Sequence, residues 1–212
     1  MKKYKYVLKK HGENFVCNII EENDECIILE IIEKVESKAE PNVYIHILQG
    51  LPKFEKMETV IEKCTEIGVS EITPVEMKRS IVKLDEKNKI KKHDRWQKIA
   101  EVAAKQSKRD IIPKINEVQN LKNVFSILEN YDIVLVAYEE EKENTLKEEL
   151  LRLKQNSFLK IAVIIGPEGG IDETEIDFLK QKNTKIVTLG PRILRTETAP
   201  ILICANIIYE LE

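Results

Sequence analysis

The chain has 212 residues, 42% of them hydrophobic and 33% charged, with only seven Gly and seven Pro. That is enough apolar material for a packed core, and too little Gly and Pro for a fibrous or disordered chain. A net charge of −3 excludes a uniformly basic nucleic-acid binder, so any contact with a polyanion must come from local clustering of charge.

The start, MKKYKYVLKK, is basic but lacks the apolar run of a signal peptide. No stretch approaches the ~20 apolar residues that span a bilayer, so a cytoplasmic protein without a membrane partner is expected. The four cysteines (Cys17, Cys26, Cys64, Cys204) form no C-x-x-C pair and have no histidine at metal spacing. Buried thiols are expected, with neither a disulfide framework nor a metal.

Residues 1–40 alternate in the manner of strands. Phe15–Ile20 and Cys26–Ile32 flank a polar turn at Glu21–Asp24 and predict a small β module, too short for a core of its own. The polar stretch Glu36–Pro41 predicts a linker. A second unit, residues 41–212, then alternates strand and helix. Val43–Leu48 predicts a strand broken by Gln49-Gly50-Leu51-Pro52, and residues 53–67 place Met57, Val60, Ile61, Cys64 and Ile67 at helical spacing. Ile72–Val75 predicts a short strand and residues 91–108 a helix, with Trp96, Ile99, Val102 and Ala103 inward. That spacing makes Trp96 a core residue more readily than a base-stacking one. Ile133–Tyr138 and Ile161–Ile165 are continuous apolar strands of the kind buried on both faces of a parallel sheet. Asp172-Glu173-Thr174-Glu175 has capping-box spacing for a helix through Lys182. Ile186–Leu189 predicts the last strand, and Pro200 suits the first turn of a helix ending near Tyr209. The fold class is α/β with a mostly parallel sheet.

Charge is segregated along the chain. Residues 76–109 hold twelve Lys and Arg against five acids, whereas residues 139–149 hold six Glu against two Lys. Either the protein carries a basic face beside an acidic one, or these are ordinary solvated helix surfaces.

Ligands of parallel α/β sheets bind beyond the carboxyl ends of the strands. Two loops there stand out. Gly166-Pro167-Glu168-Gly169-Gly170 follows an apolar strand and precedes a helix cap. It matches neither a phosphate-binding P-loop nor a dinucleotide fingerprint, and serves equally as a tight turn or a ligand cradle. Gly190–Ala199 gathers Arg192, Arg195, Thr196, Glu197 and Thr198 at a strand end, a density of hydrogen-bonding groups that favours a binding site over a surface loop. His11, His46 and His93 are isolated, and no Ser–His–Asp grouping emerges.

The strings I-G-P-E-G-G at 165–170 and L-G-P-R-I-L-R-T-E-T-A at 189–199 resemble those of the ribosomal RNA small-subunit methyltransferase E family, in the SPOUT superfamily of knotted methyltransferases. Gln49-Gly50-Leu51-Pro52-Lys53, Lys63–Val69, Arg79-Ser80, Ala104–Ser107, Arg109 and Pro113 are also similar to the family's pattern. The resemblance covers residue 43 to the end and implies a C-terminal trefoil knot from about residue 161. It implies S-adenosylmethionine held among three loops: the turn after 133–138, Gly166–Gly170 and Leu189–Thr198. It also implies a homodimer that uses the apolar C-terminal helix (Ile201, Leu202, Ala205, Ile208, Tyr209). The family carries an N-terminal β-barrel. His11–Cys17 resembles its middle hairpin, so the chain is expected to begin partway through a truncated, PUA-like barrel module at 1–40.

The activity so implied is methylation of N3 of a uridine in 16S ribosomal RNA, acting on small-subunit ribosomal RNA or the assembled small subunit. Loss of the N3 proton leaves a uridylate charge, which an arginine stabilises well because it stays cationic. Arg195, then Arg192, are the catalytic candidates, with Glu197 orienting them or complementing the sulfonium. Gly166, Pro167, Glu168, Gly169, Gly170, Leu189, Gly190, Leu194 and Thr196 are the expected cofactor contacts, and Arg79, Lys91, Lys92, Gln106 and Arg109 the expected RNA contacts. The alternative is a catalytically impaired RNA-binding or ribosome-assembly paralogue without the full barrel.

Overall fold

The structure is a computed structural model describing residues 5–10, 13–35, 39–154, 158–181 and 184–212. His11 and Gly12 of the hairpin motif, Lys2, Lys3, residues 36–38 of the expected linker and Lys182 lie outside the described residues. Strands β1 (Lys5–Lys10), β2 (Glu13–Glu22) and β3 (Ile27–Val35) form an antiparallel sheet in that order. Asn23 closes the β2–β3 turn: its Oδ1 accepts from the backbone of Glu25 at 3.0 Å and Cys26 at 2.9 Å, the local self-bonding that suits Asn to turns.

The second sheet contains β4 (Val43–Gly50), β5 (Glu71–Glu76), β6 (Lys114–Ile115), β7 (Gln119–Asn120), β8 (Ile133–Ala137), β9 (Leu159–Ile165) and β10 (Thr184–Val187). Its order is β10-β8-β9-β4-β5-β6, with β7 also on β5, and every pairing is parallel. β9 therefore lies between β8 and β4. Ile45, Ile47, Ile161 and Val163 are fully buried beneath one layer of helices, and Leu48, Ala162 and Ile164 beneath the other. This burial on both faces explains why those strands read as unbroken apolar runs.

One layer holds α1 (Lys56–Ile67), α2 (Glu86–Gln106), α4 (Leu146–Leu153) and α6 (Thr198–Leu211); the other holds α3 (Leu121–Ile127) and α5 (Glu173–Leu179). Met57, Val60, Ile61 and Cys64 form the buried stripe of α1. α2 starts five residues before the expected 91, because Asp85 caps it by accepting from the Asn88 backbone at 2.8 Å. Trp96 is buried in the core with Ala100, leaving its indole unavailable for stacking on a base. The acidic 139–149 stretch contains the start of α4, where Thr145 and Glu148 form a capping box and Glu149 is buried.

Arg109 is also buried, with its side chain 3% exposed. Its guanidinium donates to Thr65 O at 3.1 Å, Val69 O at 2.6 Å and Glu40 Oε2 at 2.6 Å. The expectation of an RNA contact at Arg109 is corrected: this arginine closes the carboxyl end of α1 and ties it to the segment before β4. The link extends to the small sheet through Asn14, which donates to Asp110 Oδ2 at 2.8 Å.

At the amino ends of the strands, His46 is buried between the Tyr131 and Thr73 hydroxyls, with Nε2 2.7 Å from Thr73. Burial pushes its pKa down to about 4, against the opposing pull of nearby Glu71. A histidine with a depressed folded pKa binds fewer protons folded than unfolded. Its contribution is therefore complete above the unfolded value near 6.5 and is lost as pH falls toward 4, by about 3 kcal/mol in all. Urea unfolding of the wild type and His46→Gln should show their stability difference shrinking between pH 7 and 4.5. A constant difference would remove His46 from the acid response.

Candidate active site at the carboxyl ends of three adjacent strands

Strands β10, β8 and β9 are neighbours in the sheet, so the loops that follow them converge. A cavity of about 450 Å³ opens there, of the size that takes a cofactor-sized molecule. It is lined by Ala137 at the end of β8 with Tyr138 and Glu139 after it, by Ile165 at the end of β9 with Gly166–Glu168 and Gly170 after it, and by Thr188–Thr196 after β10, with Ala199 behind. The structure thus brings together Gly166, Pro167, Glu168, Gly170, Leu189, Gly190, Leu194 and Thr196. Gly169 departs from that set: a Cβ there would lie 3.1 Å from the Arg79 Cβ, so its open side faces Arg79 and it does not line the cavity.

Two glycines have specific geometric reasons. Gly170 has φ +72, which suits a residue without a Cβ, and an added Cβ would run into the Glu139 carboxylate. At Gly50 an added Cβ would come within 2.6 Å of the Pro167 backbone nitrogen, so the end of β4 lies directly against the Gly166-Pro167 turn.

A buried clasp joins the loops. Gln49 donates from Nε2 to Gly50 O at 3.0 Å and to Thr196 Oγ1 at 3.0 Å, and Thr196 Oγ1 donates to Gly166 O at 2.7 Å. The β10 loop and the β9 loop are thereby held together by one side chain of β4. From the sequence Gln49 is part of a strand break and of a family-like string, with no role of its own; a polar residue closing an otherwise apolar buried strand is the signal that marks it. Gln49→Leu removes the donor and should weaken S-adenosylmethionine binding roughly tenfold, the typical loss for an unmet buried hydrogen bond. Calorimetric titration checks it, and wild-type affinity would show that the loops set their own spacing.

At the cavity mouth charges alternate. Lys56 Nζ lies 3.0 Å from Glu168 Oε1 and 3.4 Å from Glu197 Oε2, and Glu197 Oε1 lies 3.9 Å from Arg195 Nη1. Hydrogen bonding to Glu168 raises the Lys56 pKa against a small desolvation penalty. Burial alone would raise the Glu168 carboxyl, but the Lys53 backbone N–H and Lys56 outweigh it and hold it below the usual range. Lys56, the first residue of α1, went unnoticed in the sequence because only the apolar stripe of α1 signals its register. Arg195 is 81% exposed and lines the cavity together with Arg192. Arg79 donates to Gly169 O at 3.2 Å on the far side of that loop. Lys91, Lys92 and Gln106 lie along α2 and do not line the cavity; Lys92 rests over the Trp96 ring, 5.7 Å from its centroid.

The cavity suits an adenosyl cofactor on its own terms. Ile165, Leu189, Leu194 and Ala199 give apolar walls, the glycine turns give close backbone, and the mouth offers both signs of charge.

Comparison with known proteins then places the chain in a family. A family model described as an RNA methyltransferase domain matches residues 39–208. The chain is 38% identical over 186 residues to ribosomal RNA small subunit methyltransferase E of Bacillus subtilis, covering 86% of this chain and 72% of that one. It is 35% identical to the protein of that name from Mesomycoplasma hyopneumoniae, covering 94% and 87%. The crystal structure of a ribosomal RNA small subunit methyltransferase E from Neisseria gonorrhoeae, bound to S-adenosyl methionine, superposes with TM-score 0.80 at 25% identity, over 97% of this chain and 82% of that one. With these matches and a cavity built at the strand ends, the chain belongs to the ribosomal RNA small subunit methyltransferase E family of RNA methyltransferases.

Proposed function

We propose that this protein transfers a methyl group from S-adenosylmethionine to N3 of a uridine in 16S ribosomal RNA, acting in the cytoplasm on the small subunit or its RNA. The observation that carries the reading is the cavity shared by the β8, β9 and β10 loops, with Arg192 and Arg195 on its lining. Gly166, Pro167, Glu168, Gly170, Leu189, Gly190, Leu194 and Thr196 hold the cofactor. When bound, it supplies an electrophilic methyl group. Arg195 receives the target base at the mouth; the N3 proton leaves to solvent, and the guanidinium stabilises the uridylate charge that remains. Glu197, itself held by Lys56, positions Arg195. Closely placed loops align donor and acceptor for in-line displacement.

The same reading assigns a trefoil knot to the chain from about residue 161, supported by the insertion of β9 between β8 and β4. It assigns residues 1–40 to part of a barrel module, supported by the antiparallel β1–β3 sheet, and residues 41–212 to the methyltransferase domain. A homodimer would cover the outward side of α6, where Tyr209 is exposed while Ile203, Cys204 and Ile207 face the core. RNA contacts are assigned to Arg79, Lys91, Lys92 and Gln106. Incubating the protein with S-adenosylmethionine and unmodified small subunits, then mapping methylated uridines by mass spectrometry, tests the reading. Cofactor binding without any methylated uridine would overturn it in favour of a non-catalytic RNA-binding role.

A further inference from the structure

A second groove, of about 520 Å³, opens at the same end of the sheet, on the other side of the Gly166–Gly170 turn from the cofactor cavity. Met77, just past β5, lies at its base, and the starts of α3 and α5 form its walls. Lys78, Lys83 and Lys122 line it together with Phe178, whose ring is backed by Phe125 at a centroid separation of 3.9 Å. Of the two acids on its lining, Glu175 is buried and committed, accepting from the backbone N–H groups of Asp172 at 3.3 Å and Lys78 at 2.9 Å. Glu76 is the other. The lining therefore holds three lysines against two glutamates, one of the glutamates buried, beside one aromatic wall.

It also lies close to the cofactor site. Lys78 bonds the Thr174 hydroxyl and lies 3.5 Å from Asp172, while its neighbour Arg79 donates to Gly169 O at 3.2 Å. Only the turn around Gly169–Asp172 separates the two cavities. A basic track with an aromatic platform is the arrangement that binds single-stranded nucleic acid, lysines following phosphates and the ring stacking on a base. An apolar or basic partner would leave the lysines uncompensated.

We propose that this groove binds the nucleotides flanking the target uridine as an unpaired strand, with Lys83 and Lys122 on phosphates and Phe178 against a base. The inference rests on the RNA-methylating reading above and adds the path of the strand across the protein. It places the flanking strand on the β5, α3 and α5 side, apart from the lysines of α2.

The full chain should be titrated with a fluorescent oligouridylate of about ten nucleotides between roughly 50 and 200 mM salt. Lys83 and Lys122 are exposed, so K83E with K122E should leave the fold and S-adenosylmethionine affinity unchanged. Oligouridylate affinity should fall roughly tenfold or more, with the log–log salt slope shallower by about 1.4, the value for two phosphate contacts on a single strand. Phe178→Leu should weaken binding roughly tenfold through lost stacking, with the slope unchanged. Should Phe178→Leu melt the protein, the lysine pair still decides. Wild-type affinity and slope in the double variant overturn the groove while leaving the methylation reading standing, as does a wild-type protein that methylates small subunits yet ignores the oligonucleotide. Equal loss against heparin with no effect of Phe178→Leu identifies a general polyanion surface and also overturns the proposal. Failure of the methylation reading shows separately, as absence of methylated uridine with the wild-type protein.

Discussion

Replacing Arg195 by Ala should cut single-turnover methylation of small ribosomal subunits by roughly 10²–10³, the usual loss when one preorganised donor to a developing charge is removed. Cofactor affinity should stay within about twofold. The separation follows from the geometry: the Arg195 side chain is 81% exposed at the mouth and meets Glu197 only at 3.9 Å, so shortening it leaves the apolar walls and the glycine turns of the cavity in place. Arg195→Lys should rescue poorly, because an ammonium cannot reproduce the planar fork that meets a uridine edge. Glu197→Gln keeps the shape but removes the charge between Lys56 and Arg195, and should give a smaller loss of turnover. A wild-type rate in Arg195→Ala would move the role to Arg192, which lines the same cavity.

The largest effect on stability is expected at Arg109. Arg109→Ala leaves the Thr65 and Val69 carbonyls without their guanidinium donor and removes the cationic partner of Glu40. Breaking a buried pair of this kind costs about 3 kcal/mol here, at the low end of the usual range because Glu40 still accepts from the Asp110 and Ile111 backbone N–H groups. For a chain of this size that corresponds to a fall in Tm of about 6–12 °C. Thermal unfolding measures it, and the RNA affinity of the folded variant should match wild type. An unchanged Tm, or a selective loss of RNA binding, would restore the surface role that the basic run 76–109 suggests.

That run shows where sequence reading stops. Twelve cations in 34 residues look alike in one dimension, yet Arg109 is sealed in the interior while Lys83 lines a groove. Nothing local separates them; the difference is set by Glu40, 69 residues away in sequence. The parallel sheet was legible because strands buried on both faces cannot hide their composition, as Ile133–Ala137 and Leu159–Ile165 demonstrate. The position of two unusual loops at strand ends was legible for the same reason. The orientation of individual residues was not: Gly169 and Gly170 are adjacent, but one faces Arg79 and the other Glu139. Short α3 and two-residue β6 and β7 fall below the length at which periodicity speaks, and the equally short α5 was legible only through its capping box. Gln49 and Lys56 act through partners more than 100 residues downstream, which no window along the chain can contain.

The insertion of β9 between β8 and β4 has a consequence for the order of events during synthesis. β4 is complete once residue 50 has been made, and β5 soon covers one of its edges. Its other edge must wait for β9, which begins at residue 159. At roughly 5–20 residues per second, translation leaves that apolar edge open for about 5–20 s. An unpaired strand edge of this kind is a template for pairing with other chains. The half-made protein is thus more exposed to aggregation than the finished one. Gln49 meets Thr196 only after a further stretch of chain, so competence to bind a cofactor arises last, when nearly the whole polypeptide has left the ribosome.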